Sequence, residues 1–296
     1  MNLQTQHLDD KKENIPNNYP YLARRLFVEN PNDIIINFTE LREGIIAFNK
    51  GREAEIGVHF QYLPSGVTVS VNADTPFFAA SLLKLPVAMQ VMKEIEKGNV
   101  QKNKLLIVEN RHIDPTYGTL WKNGVGYTLT VEEALRKSLV ESDNTANQLL
   151  LDLVPGRKLS EVLNYLDIPQ VVETGQLLIT PRGFSSILRS LYFSAYLSYE
   201  YSNELISILI EGKSENDFIQ KPLPSSIQVA NKTGIYQLHP DDKQISNLYS
   251  ECGIVYVPAR QYVLCVFVKG DLEKEVAAEI ISEISLRTYQ FVSSQP

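Results

Sequence analysis

The 296-residue chain holds two cysteines, one tryptophan, three methionines and four histidines. The two cysteines, Cys252 and Cys265, are too few for a disulfide scaffold or a cysteine zinc site, and both read as buried strand residues. His7, His59, His112 and His239 are scattered without the H-x-x-x-H spacing that puts two imidazoles on one helix face, so no metal or other cofactor is expected. Positive charge is also short: 28 Lys and Arg against 35 Asp and Glu give −7 with histidine neutral. No basic run gathers into a stripe able to neutralise phosphates, which argues against nucleic acid as a partner. The longest apolar stretch, Phe77 to Met89, is interrupted by Lys84 and falls well short of the ~18 residues of a membrane span. A charged-then-apolar export segment is missing from the N-terminus, which leaves open a cytosolic chain or one processed behind a removed signal or anchor.

What is present is a globular composition, with 44% hydrophobic residues, 15 glycines and 15 prolines, on a chain long enough for one large unit or two lobes sharing a core. Residues 1–36 are polar, with a mixed charge run at Asp9-Asp10-Lys11-Lys12-Glu13, and predict a mobile tether. From Asn37 the spacing of Leu41, Ile45 and Phe48 predicts a helix, with Asn37 and Glu40 placed like a capping box and Lys50-Gly51 as its end. Alternation over Ile56 to Tyr62 and Val67 to Val71, around Pro64-Ser65-Gly66, predicts a β-hairpin. Ser81 to Gly98 reads as a helix apolar on nearly all sides at its start, hence buried, with Pro86 bending its first turns.

Thr130-Val131-Glu132-Glu133 opens a helix as a capping box, Ser142-Asp143-Asn144 interrupts it, and Val154-Pro155-Gly156 stops the resumed helix. Thr180-Pro181 is an N-cap followed by proline at the first helical position, opening the aromatic-rich segment Phe184 to Tyr199. A further helical stretch near Asn203 to Gly212 precedes three β-runs, Ile227 to Lys232, Glu251 to Val257 and Gln261 to Lys269, and a closing helix from about Leu272 to Phe291. The pattern predicts an α+β fold: an antiparallel sheet of about five strands flanked by terminal helices, split by a helical insertion. The expected boundaries are a tether at 1–36 and a catalytic domain at 37–296, with an α/β lobe at 37–80 and 222–296 and a helical lobe at 81–221. A crevice between lobes is a common place for a ligand.

Lys84 stands out because an ammonium inside a buried apolar helix costs several kcal/mol unless paired or deprotonated. Ser81, three residues earlier, shares its helix face, which sets a hydroxyl beside an amine able to take its proton. The S-x-x-K spacing occurs once. S-x-N occurs at Ser70, Ser142 and Ser214; only Ser142, at a helix break in the helical lobe, is placed to face a cleft. Lys232-Thr233-Gly234 ends a β-run bordering the crevice.

The order S-x-x-K, S-D-N, K-T-G, on helix, helical-lobe loop and strand, resembles the penicillin-recognising serine hydrolases, the class A β-lactamases and penicillin-binding proteins. The likeness runs from about Gly51 to Val292. It implies that Ser81 attacks the carbonyl of a strained lactam or a D-alanyl peptide, Lys84 accepts its proton, and Ser142 relays a proton to the leaving nitrogen. It further implies that Asn144 bonds Lys84 and the substrate amide, that Lys232 and Thr233 with Gly234 hold the substrate carboxylate, and that the N–H groups of Ser81 and Ile235 form an oxyanion hole. Tyr117 is a candidate cleft wall together with Trp121, and Asp143 a helix cap. The family also implies a small-molecule β-lactam or peptidoglycan-like ligand, a monomer, and an extracytoplasmic location, periplasmic, secreted or surface-anchored. One element departs from class A: no Glu-x-x-Leu-Asn pattern occurs, and Glu173 is the one candidate for its water-activating role. Slow deacylation is therefore expected, and a ligand-accepting sensor without turnover is the alternative.

Overall fold

Residues 36–157, 159–173, 175–212, 217–237 and 246–295 are described by a computed structural model. The expected tether up to residue 35, His7, His239 and Ser214-Glu215-Asn216 lie outside the described residues. Helix α1 (Thr39–Asn49) starts without the expected capping box: Asn37 Oδ1 accepts the Thr39 N–H at 3.0 Å, a local turn that competes with a cap. Phe38, at the N-cap position, instead packs on Phe60, Tyr62 and Phe291. Strands β1 (Glu55–Tyr62) and β2 (Thr68–Val71) form the predicted hairpin, with Val58 opposite Val71 and Phe60 opposite Val69.

After the short strand β3 (Phe77–Phe78), a 3-10 turn at Ala80–Leu83 runs into α2 (Lys84–Glu96). Pro86 is the third residue of α2 and gives no N–H to the carbonyl four back, so the tight winding falls just ahead of it. Every residue of α2 from Lys84 to Met92 is buried. The paired strands β4 (Leu105–Ile107) and β5 (Thr128–Thr130) follow. Helix α3 (Val131–Val140) carries the predicted capping box, with Thr130 Oγ1 accepting Glu133 N–H and the Glu133 carboxylate accepting Thr130 N–H. Helix α4 (Asn144–Leu151) resumes after the Ser142 break. Beyond α5 (Ser160–Tyr165), strands β6 (Val171–Glu173) and β7 (Gln176–Ile179) fold back, and β7 pairs with β3. Thr180 caps α6 (Pro181–Tyr192) by accepting Gly183 N–H at 3.0 Å. The chain then turns before α7 (Tyr199–Glu211), so the aromatic segment forms a helix and a turn, with Phe184, Tyr192 and Tyr196 buried.

The return to the sheet is made by β8 (Val229–Tyr236), β9 (Asn247–Val255) and β10 (Tyr262–Gly270), and α8 (Lys274–Ser294) ends the described chain. The five-stranded sheet runs β2-β1-β10-β9-β8, antiparallel throughout. Both its faces are covered: α1 and α8 pack on Ile56, Val58, Leu264 and Val266, whereas Cys252, Ile254, Val263 and Phe267 face the core built around α2 and α6. Cys252 and Cys265 are buried strand residues as read from the sequence, and because they stand directly opposite across β9 and β10 they are joined by a disulfide. Two cysteines thus make one bridge, which the sequence inventory alone did not place. Among the described residues no helix is long and apolar enough to cross a membrane.

Candidate active site

The 3-10 turn holds Ser81 ahead of α2, within a first turn whose N–H groups lack carbonyls inside the helix. Ala80, just before it, has φ +45°, a left-handed conformation that costs a non-glycine residue about 1–3 kcal/mol. One turn on, Lys84 is 4% exposed and its Nζ lies 3.1 Å from Ser81 Oγ.

Ser142 sits between α3 and α4 with φ +52°, which turns its hydroxyl and its carbonyl towards the same amine. Lys84 Nζ is 3.1 Å from Ser142 Oγ, hydrogen-bonds the Ser142 carbonyl, and lies 2.6 Å from Asn144 Oδ1. Asp143, fully buried, points the other way and accepts N–H groups from Ala146, Thr119 and Leu120 at 2.9, 2.7 and 2.8 Å. It caps α4, as its sequence position suggests, and also ties down the loop that carries Tyr117. Gly118 (φ +90°) is required there, since a Cβ would stand 2.2 Å from Asp143 Oδ2.

Strand β8 brings the third motif. Lys232 is 4% exposed, and its Nζ is 3.0 Å from Ser142 Oγ and 3.1 Å from the Thr233 carbonyl. Gly234 lets β8 close on the Ser81 turn: a Cβ would come within 2.7 Å of Ser250 Oγ, 3.0 Å of Leu82 Cγ and 3.2 Å of the Ala79 carbonyl. Thus Ser81, Lys84, Ser142, Asn144 and Lys232 meet, with one hydroxyl oxygen, that of Ser142, between the two amines.

Burial lowers the Lys84 pKa to about 7, with the Lys232 charge pushing it the same way and Asp143 and Asp114 opposing. Burial likewise lowers that of Lys232 to about 8, opposed by Glu251 and Asp217. A neutral Lys84 has two N–H donors and one lone pair. The Ser142 carbonyl and Asn144 Oδ1 can accept only, so they take the two donors and leave the lone pair for a hydroxyl proton from Ser81 or Ser142.

These side chains open onto a cleft of about 830 Å³, whose lining includes Thr116, Tyr117, Thr233, Ile235 and Tyr236. Tyr117 is 46% exposed on its wall. Trp121 is absent from the lining and donates Nε1–H to the Gly118 carbonyl at 3.2 Å. Glu173 is exposed on β6 and also lies outside the lining. Sequence reading passed over Asp114, Thr116, Asp217 and Asn231, which line the cleft, and Glu251 beneath it. Glu251 is fully buried in β9, accepts Ile219 N–H at 2.9 Å and bonds the Asn231 amide; a lone charge in a largely apolar strand was the available signal.

Residues 39–292 match the model of the beta-lactamase enzyme family. Beta-lactamase VEB-1 of Pseudomonas aeruginosa is 26% identical over 264 residues, 82% of this chain and 87% of that protein. The extended-spectrum beta-lactamase PER-1 of the same organism is 25% identical over 272 residues, covering 85% and 87%. Among solved structures, PBP-A superposes with a TM-score of 0.77 at 23% identity, covering 87% of this chain and 97% of that one, and a mutant of PBP-A was solved as its acyl-enzyme complex with penicillin G. The chain belongs to the beta-lactamase enzyme family, serine hydrolases acting on amide bonds, and shares its fold with PBP-A.

Proposed function

We propose that the cleft acylates Ser81 with β-lactams or D-alanyl peptides and releases the acyl group slowly. The observation that carries this reading is the 3.1 Å contact between Ser81 Oγ and a Lys84 amine whose pKa is lowered to about 7. The Ser81 proton passes to Lys84 as Oγ bonds the carbonyl carbon; the C–N bond then breaks and the nitrogen takes a proton through Ser142 Oγ, which touches both amines. Lys232 and Thr233, with Gly234 beside them on β8, hold the substrate carboxylate, and the N–H groups of Ser81 and Ile235 receive the oxyanion. No cofactor is needed. A cell-wall-type substrate implies a protein working outside the cytoplasm.

Slow release is supported by the carboxylates. Among the described residues lining the cleft these are Asp114, Glu141 and Asp217. Each is engaged: Asp114 by Thr116, Glu141 by Lys137, Asp217 by Asn231. The same observation favours a second reading, a cell-wall sensor that is acylated without turnover. Intact mass followed after mixing with penicillin G tests both. The wild type gains one adduct that outlasts mixing, Ser81→Ala gains none, and free product accumulates only if the protein is a hydrolase. No adduct, or an adduct on Ser81→Ala, sinks the proposal.

A further inference from the structure

A polar chain outside the three motifs reaches Lys84 from the cleft wall. Asp114 Oδ1 accepts the Thr116 backbone N–H at 2.9 Å and also the Thr116 hydroxyl. With its proton committed to Asp114, Thr116 Oγ1 turns a lone pair outward and accepts from Asn144 Nδ2 at 2.6 Å. An amide whose NH2 is held on one side must present its oxygen on the other, and Asn144 Oδ1 meets Lys84 Nζ at 2.6 Å. Reversing Thr116 would put a donor against the Asn144 NH2 and free the amide to flip, setting an NH2 against the amine.

The chain is fixed in place by the turn that carries Ser142. Asp114 N–H donates to Thr145 Oγ1 at 3.0 Å, and that hydroxyl donates to the Asp114 carbonyl at 3.3 Å. Asn144 N–H donates to the Tyr117 carbonyl at 3.1 Å, and the Asp143 carboxylate accepts from Thr119 and Leu120. Residues 114–120 and 142–145 therefore form one hydrogen-bonded unit, and Thr116, although exposed, is held between Asp114 and Asn144.

We infer that Asp114 and Thr116 are positioning residues for the acylation step, acting through Asn144: they set the orientation of its amide and so the hydrogen bond that aims the Lys84 amine at Ser81. This deepens the proposed acyl-transfer function and rests on it for its catalytic meaning. The charged groups around Lys84 are Lys232 from β8, Asp143 from the Ser142 turn and Asp114 from the facing loop. Asp114→Asn keeps an acceptor for Thr116 and removes only the charge. Thr116→Val keeps the charge and removes the acceptor for Asn144. Thr116→Ser keeps both.

The test titrates Lys84 by NMR of its labelled Cε in the wild type and these three variants, and measures acylation by penicillin G in parallel. Asp114→Asn moves the Lys84 midpoint to lower pH, because a stabilising negative charge is gone. Thr116→Val also lowers it, through loss of the held amide oxygen, and slows acylation roughly tenfold on the plateau above the midpoint, where Lys84 is neutral in both proteins. Thr116→Ser rescues both readouts. An unmoved Lys84 midpoint in both Asp114→Asn and Thr116→Val, or a Thr116→Val protein acylated as fast as wild type, overturns the inference. If the wild type forms no Ser81 adduct, the functional reading fails on its own, and the Lys84 titration still decides the polar chain.

Discussion

Replacing Lys232 with glutamine removes one of two amines that share a single oxygen. Lys84 Nζ and Lys232 Nζ lie 3.1 and 3.0 Å from Ser142 Oγ. The nitrogens are therefore at most about 6 Å apart, where two unit charges at an effective dielectric of about 20 repel by about 3 kcal/mol. Without that repulsion the protonated form of Lys84 is favoured, so its pKa rises from about 7, by up to about a hundredfold in the proton equilibrium. Acylation needs the neutral amine, so its rate falls at neutral pH and its acid limb moves to higher pH. The assay is the rate of Ser81 acylation by penicillin G across the acid and neutral range, by quenched-flow mass spectrometry. Penicillin is kept saturating because Lys232 also faces the substrate carboxylate, and the midpoint of the limb is read, not its height. A midpoint that stays put or moves to lower pH refutes the assignment of Lys84 as the proton acceptor.

Two further perturbations probe the frame around the site. Gly234→Ala puts a methyl 2.7 Å from Ser250 Oγ and 3.0 Å from Leu82 Cγ; urea unfolding should show a loss of about 1–3 kcal/mol, and the folded fraction should acylate more slowly because β8 is pushed off the Ser81 turn. Glu251 carries a folded-state pKa raised from 4.5 to about 8, chiefly by burial. The folded state then holds a proton that the unfolded state has lost between those values, so this group's stabilising contribution is complete below about 4.5 and disappears as pH rises through about 8. Glu251→Gln should flatten that decline in urea midpoints measured against pH, and an unchanged slope would show that the buried carboxyl does not titrate there.

The legible parts of the fold were those with a period or a cap. Ile56, Val58 and Phe60 alternate, Thr130 and Glu133 reciprocate, and Thr180-Pro181 starts a helix, each a signal contained within a few residues. Asn37 misled because two outcomes compete for one side chain, and the turn to Thr39 won. Strands β3 to β7 span two to four residues each, too short to show alternation, and exist because tertiary packing supplies partners. The site divides the same way. Ser81, Lys84, Ser142 and Lys232 belong to spaced motifs, whereas Asp114 and Thr116 gain their meaning from Asn144, which is 28 residues from Thr116 in the chain. Asp114-Pro115-Thr116 does carry a turn signal, an aspartate accepting from the backbone two residues on, but nothing local says what the turn faces.

Ala80 and Ser142, the residue before the proposed nucleophile and the residue between the two lysines, both have left-handed backbones at φ +45° and +52°. Glycine at position 80 would relax that conformation and should raise the melting temperature, at the expense of a Ser81 hydroxyl free to wander. Selection for thermal robustness alone would therefore erode reactivity at this position, and laboratory evolution under heat should enrich Ala80→Gly only when acylation is not also demanded.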